Sequence, residues 1–548
     1  MKLIKRGFCL WDADAASEIL PTFKMSKMTP FELSRVVFRA IRENRTDVSF
    51  WKAVIARAKQ VESQLAPADI SVIIYGLGKL RYRDRDLLAR LGTVVIPNLG
   101  SMSLNDISHL LSGYARVQVR NDLLFDLASR VIGRKLASCN ALAEVTNITL
   151  AYTALNYEHK LLFSALSKRA MLLLPSGSNT RDLANLVDAF SRIPGLETSR
   201  LFALASSEIC RKIDAFPAQS LALVARSFAR AGLLKNQNQF LLEQILDESF
   251  KRRHEFDSES KAVLLHAVSK SRNSSKSQLL FDYFTSDLSK RGVEKFDLTA
   301  LTLLAGAIGK HFKVSDGTSS PPREVHTLFQ LIGDRVAALA SELGPRQVAV
   351  LANAFSQVGS RHGPLLYNLP SHVKEMSKDL SLIEISMILK AYASLSIRND
   401  VLLDCVPPRI LELIQESGEN SVKSSSLDDS SIYALTVNEP STAGISNDPK
   451  ATTKALTDIL ESYAMLMVGD SKLLNPVIKA IDARKDYLSE RELLLVIPKS
   501  LSVLMLPCPV DLAALITCKA ESSSIPLTDE ALGELYQFTE QYAIALEQ

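Results

Sequence analysis

SGYARVQVRNDLLFDLASRV, residues 112 to 131, decides how the chain is read. An aromatic, a small residue, a base and an aliphatic (Tyr114, Ala115, Arg116, Val117) lead through a polar elbow into Leu123-Leu124-Phe125. The phrase returns as Tyr152-Thr153-Ala154-Leu155, as Phe190-Ser191-Arg192-Ile193 and as Phe228-Ala229-Arg230-Ala231, each time 38 residues on. A fixed period of that length marks stacked supersecondary units. The 548 residues therefore read as one repeat array and not as three or four unrelated domains.

With the aromatic as column zero, twelve units follow: Phe38, Leu77, Tyr114, Tyr152, Phe190, Phe228, Val268, Ile308, Phe355, Tyr392, Tyr463 and Ser500. Steps lie between 37 and 40 residues except for two, of 47 and 71, which mark insertions. Four residues earlier, eleven of the twelve positions are aliphatic. Apolar residues at −4, 0 and +3 give a helix with one buried stripe and exclude the alternation of a strand. Short elbows (RYRDRD at 81–86, QVRND at 118–122, NYEHK at 156–160) then lead into a second apolar pattern, and elbows of this length join antiparallel neighbours. Column +1 is Gly, Ala, Ser or Thr in ten of twelve units, which lets helix axes approach closely. The predicted fold is all-α, an α-solenoid of about twelve antiparallel helical hairpins of 37–40 residues.

Composition agrees: 47% hydrophobic and 23% charged residues with 22 Gly suit a soluble helical protein and exclude disorder of the whole chain. Since 64 Lys+Arg stand against 60 Asp+Glu, any nucleic-acid surface must be local. Six cysteines lie far apart without a CxxC pair, so neither a zinc site nor a disulfide framework is expected, and a reducing compartment fits. No apolar run approaches the roughly 18 residues of a membrane span. The basic start MKLIKRGFCLW, with Ile4, Phe8 and Trp11 on one helical face, makes 1–28 a transit peptide or an N-terminal extension. The repeat array occupies 29–415, a Ser-rich flexible insertion 416–450, and further repeats with a cap 451–548. A second polar, proline-containing loop, VSDGTSSPPRE, fills 314–324.

Column +2 lies about 200° around the helix from the aromatic, away from the core. It holds Lys79, Arg116, Arg192, Arg230, Lys270 and Lys310, and no acid in any unit. Cations repeated once per hairpin suit a phosphate backbone, each contact releasing counterions; the alternative is a solvated face paired with acids. Column −2 sets Tyr75, Ser112, Asp188, Arg226, His266, Asn353 and Lys390 beside them, a varied set able to bond base edges. Other bases read as structural. Lys251-Arg252-Arg253-His254 ends a second helix, and Asp84 and Asp86 neutralise Arg81, Arg83 and Arg85. GLGK at 76–79 and GAIGK at 306–310 fall in packing columns and lack phosphate-loop spacing, and the eight histidines form no HExxH. No catalytic residue, metal or cofactor is expected.

Hairpins of this period, with a small residue after an aromatic, resemble the organellar heptatricopeptide and octotricopeptide repeats, including RAP-type proteins of apicomplexan mitochondria and the FAST kinase-like proteins. The resemblance spans residues 30–520; the tryptophan-rich octotricopeptide signature is absent, and PLTDEALGELYQFTEQYAIALEQ at 526–548 reads as a capping helix and not as a RAP domain. It implies noncatalytic binding of single-stranded or ribosomal RNA in the mitochondrial matrix, with a plastid as the alternative. The roles implied are RNA stability, RNA processing, or mitoribosome assembly and structure. The competing reading is a scaffold for mitoribosomal or other organellar proteins, using the same surface.

Overall fold

The computed structural model describes residues 25–176, 178–193, 195, 198–234, 239–271, 274–313, 320–419 and 448–522, with Gly533 and Phe538. Most of the transit segment, the core of the Ser-rich insertion, half of the 314–324 loop and most of the capping sequence lie outside the described residues. Packing divides the chain into two compact units, Met1–Ile209 and Cys210–Gln548.

In the first unit the leading helices of the hairpins are Pro30–Arg42, Pro67–Lys79, Leu104–Arg116, Leu142–Ala154 and Thr180–Ser191. Each returns through a second helix, from Val48–Val61 to Ser199–Arg211. In the second unit the leading helices are Ala218–Arg230, Ser258–Val268, Leu298–His311, Pro345–Val358, Leu382–Ser394, Pro449–Met465 and Ile497–Leu504. Within each unit leading helix packs on leading helix in chain order, which makes each an α-solenoid; no strand occurs among the described residues.

One form of turn between the two helices recurs in nine of the hairpins, though not after Ile308. A residue at +4 adopts the left-handed region and the amide at +5 donates to the carbonyl of column zero, closing the helix end with its orphan carbonyls satisfied. Val119 thus donates to Tyr114 at 3.1 Å, Tyr157 to Tyr152 at 3.0 Å and Ile397 to Tyr392 at 2.9 Å. Asn156, Gly232 and Gly359 are among the residues with positive φ at this point.

The same bond corrects the register at both ends of the array. Arg45 donates to Ala40 and Leu506 to Leu501, so column zero is Ala40 instead of Phe38, and Leu501 instead of Ser500. Phe38 misled because it is the aromatic of its helix. Ser500 misled because the last leading helix opens with a π-turn over Glu492–Val496, which adds a residue before the buried stripe.

Small residues let neighbouring leading helices of a unit approach closely. Column +1 was legible in the sequence; its partner is column −1, which holds Gly76, Gly113, Ala151 and Ala189 in the first unit and Ser227, Ala267, Ala307, Ala354, Ala391, Ser462 and Ser500 in the second, with Arg39 the exception at the start. A Cβ on Gly113 would sit 2.5 Å from the Ile74 carbonyl oxygen, and one on Gly78 would sit 2.7 Å from the Gly113 Cα. GLGK and GAIGK are therefore packing sequences in mid-helix, since Gly309 is likewise set against the Ala354 backbone.

Three of the four column-zero tyrosines reach backwards along the chain. The Tyr114 hydroxyl donates to the Leu88 carbonyl at 2.6 Å, Tyr152 to Phe125 at 2.7 Å and Tyr392 to Leu366 at 2.6 Å, each acceptor lying in the second helix of the preceding hairpin. Bases of the second helices close the other side of the hairpin. Arg57, Lys135, Arg169, Arg252 and Arg409 donate to the carbonyls of Met28, Met102, Cys139, Phe216 and Leu380, just ahead of the leading helix. The Ser-rich insertion, expected to divide the array, does not interrupt it. Leu382–Ser394 and Pro449–Met465 pack directly on each other, because the stack continues through side-chain contact and not through the connecting chain.

Gly113→Ala is expected to destabilise the protein by about 1–3 kcal/mol, because its methyl meets backbone that cannot withdraw. Gly133→Ala, on an exposed helical position with open space around it, is expected to stabilise by about 0.5–1 kcal/mol. Urea unfolding of both variants checks the pair.

Candidate nucleic-acid interface

Each base of column +2 stands at or near the C-terminus of its leading helix, where a cation also complements the exposed carbonyls. That effect alone would account for single charges. What exceeds it is the company they keep.

In the first unit Lys79 and Arg116 are exposed on consecutive helices. Burial, then Arg116, then Arg181 lower the Lys79 pKa, so like charges press on it. Arg116 lies over the Tyr75 ring, 5.4 Å from its centroid, and Tyr75 is packed at 4.6 Å on His109. The corrected register adds Arg42, exposed at the same column and unread in the sequence because Phe38 had taken the wrong phase. Arg192 differs: its guanidinium bonds the nearly buried carboxylate of Asp188 at 2.7 Å, one turn earlier on its own helix. Much of its charge is thereby answered.

The second unit gathers more. Lys270 is half-buried, and its pKa is pushed down to about 8 by burial and then by Arg230, Lys310 and Arg346. His266, one turn before it, is pushed down to about 3 by burial and by Lys270, Lys310, Arg226 and Arg230. Three predicted bases, Arg230, Lys270 and Lys310, are thus brought into one electrostatic neighbourhood, joined by Arg226 and His266 from column −2. Arg346 escaped the sequence reading, as did Arg181. Both stand nine residues before column zero, half a turn of phase from the core stripe, but that column is too mixed in residue type to stand out.

The face changes character further on. Lys390 bonds Asp458 and, at 2.9 Å, Glu461; burial works against its ammonium, but the two carboxylates outweigh it and hold its pKa above the ordinary value. Column +2 itself becomes Met465 and, in the corrected register, Val503, 50% and 45% exposed. Of the other column −2 residues, Ser112 is buried and unavailable to a ligand.

Several remaining bases are structural, as read, though not always by the mechanism expected. Arg252 clamps Asp214 and Phe216 carbonyls and pairs with Glu248 and Glu255. Asp84 and Asp86 pair with Lys59 and Arg90, and not with Arg81, Arg83 or Arg85, which stay exposed; Arg83 instead donates to the Gln118 carbonyl at 3.1 Å. The helix beginning at Arg85 turns its first-turn carboxylates towards the preceding hairpin, which removes them from their sequence neighbours. Among the described residues no group of three His, Cys, Asp or Glu side chains could hold a metal ion, and no helix is long and apolar enough to cross a membrane. Burial pushes the Cys139 thiol up to about 11, with Glu144 adding to it, which disfavours the nucleophilic thiolate.

Comparison with known proteins gives one family. The sequence profile described as RNA-editing substrate-binding complex 6 protein matches residues 59–193 and 218–431, more than half of the chain. No curated protein matches it significantly. Among solved structures the chain is similar to one titled "Homology model of the full-length AP-3 complex in an intermediate open conformation", with 12% identity, 96% of each chain covered and a TM-score of 0.29, too low to bear on fold or function.

The His266 environment sets an acid sensitivity. Its folded pKa lies below the unfolded one, so the unfolded chain binds the extra proton and stability falls as pH drops from about 6.5 towards 3. Between pH 7 and pH 4, His266→Asn is expected to lose about 3 kcal/mol less stability than the wild type, measured by urea unfolding at each pH.

Proposed function

The chain belongs to the RNA-editing substrate-binding complex 6 protein family, and on that premise we propose that it is a noncatalytic RNA-binding scaffold of an organellar RNA-processing assembly, working in the mitochondrial matrix. It is an RNA-associated helical-repeat protein; the finer statement concerns how it holds the RNA. The observation that carries the reading is the gathering of Arg226, Arg230, His266, Lys270, Lys310 and Arg346 on one face of the second unit. Folding pays to keep Lys270 charged beside three other cations, and a bound polyanion reverses that cost. Phosphates entering the cluster raise the Lys270 pKa, so binding takes up protons near pH 8.

In the first unit Arg42, Lys79 and Arg116 extend the same type of surface, while Arg192 contributes less because Asp188 holds it. The likeness to heptatricopeptide and octotricopeptide repeats remains one of period and column type. It supports stability or processing of a mitochondrial transcript as the setting, with ribosome assembly as a further one.

A second reading applies to the last hairpins. Met465, Met467, Val503 and Met505 are all exposed, and Met467 and Met505 occupy the left-handed turn position that polar residues or Gly fill in the other hairpins where it is seen. Methionine gains nothing there from conformation or from water. This end supports contact with a protein partner, and the two readings combine in one scaffold.

Binding of single-stranded RNA across a salt series tests the RNA reading. Changing Arg116, Arg230, Lys270 and Lys310 together to Gln is expected to weaken binding and to lower the slope of log K against log salt by about three. At fixed salt, wild-type affinity should fall between pH 7 and pH 9, and Lys270→Arg should flatten that fall. Equal binding by the quadruple variant and the wild type would sink the proposal.

A further inference from the structure

At one step of the first unit the outward face departs from its own repeat. Tyr75 stands at −2 of one leading helix, and His109 and Arg116 at −5 and +2 of the next. These positions lie at about 160°, 220° and 200° from the core stripe, so all three side chains face outward together. The Tyr75 and His109 rings are 4.6 Å apart with planes 33° from parallel, and the Arg116 guanidinium lies 5.4 Å from the Tyr75 centroid. Both rings are half-buried, with part of each open to solvent, and Arg116 is exposed with Lys79 beside it.

The repeat supplies the comparison. At the next step the same three positions hold Ser112, Asn147 and Ala154, and the leading helices still pack directly on each other. Stacking of the helices therefore does not require planar groups there; the close contact is made by Gly78 and Gly113. Burial, with Arg116 adding to it and Asp106 opposing, keeps the His109 imidazole below its ordinary pKa, which leaves it neutral at physiological pH. A neutral aromatic pair, part open to solvent and flanked by two cations, has the composition of a base-stacking platform: the rings take the base and the cations take the adjoining phosphates.

We propose that Tyr75 and His109, with Arg116, form a stacking subsite for one nucleobase of single-stranded RNA on the first unit. This rests on the RNA-binding reading above and deepens it. Arg116 serves both the base plane and the phosphate, whereas Lys79 serves the phosphate alone.

The test uses the full chain and a single-stranded RNA carrying 2-aminopurine at successive positions. The wild type is expected to quench the fluorophore at one or more positions. Tyr75→Leu with His109→Leu should abolish that quenching and weaken binding about tenfold to a hundredfold with the salt slope unchanged, since stacking and phosphate contacts are separate terms. Tyr75→Trp, which keeps a stacking face, should retain the quenching; its retention excludes misfolding as the reason for the double variant's loss. Quenching and affinity unchanged in the double variant overturn the stacking subsite and leave the phosphate reading standing. Absence of binding by the wild type at any salt overturns both.

Discussion

The close approach of successive leading helices is the constraint on which the rest depends. Gly113 lies so near the Ile74 carbonyl that no Cβ fits between them, and in the second unit Gly309 is set against the Ala354 backbone in the same way. Helices this near can cross in only a narrow range of angles, so within each unit such contacts fix how one hairpin sits on the next. The outward columns then inherit a fixed phase, and a base at +2 faces the same way on each helix. Surface chemistry follows from buried geometry here.

Much of the fold was legible because of that constraint. A period that never drifts by more than a residue or two over most of the chain is visible in Tyr114, Tyr152, Phe190 and Phe228 alone, and the column of small residues after them told how the units pack. The places where the sequence misled were those where residue type and backbone geometry part company. Phe38 looks like the column-zero aromatic, yet the carbonyl that closes the turn belongs to Ala40. The residues around Ser500 keep their order but shift by one through a π-turn, which no hydrophobic pattern of eight residues can announce. Column −1 was overlooked because alanine and serine are common everywhere; only contact with the neighbouring backbone shows what they do.

At the candidate interface, positions were legible in the sequence but pairings were not. Arg192 and Arg230 are indistinguishable as letters in a column, yet Arg192 bonds Asp188 one turn earlier on its own helix, while Arg230 is one of the cations that press on Lys270 and His266. Which groups surround a cation is decided by packing and not by residue type. The same applies to Lys390, whose partners Asp458 and Glu461 lie 68 and 71 positions further along the sequence. Arg346 and Arg181 show the converse, since they join the basic faces from a column that no count of residue types would single out.

The tyrosine hydroxyls give the stack a direction. Tyr114, Tyr152 and Tyr392 each bond a carbonyl in the hairpin that precedes them, so a hairpin is completed by the one that comes after it. On a ribosome, where residues emerge from the N-terminus onward, each of these three leading helices finds its acceptor already made. Assembly can proceed one hairpin at a time, with each addition locking the last, and growth by duplication of a unit preserves this order because the duplicate carries both the donor and the acceptor.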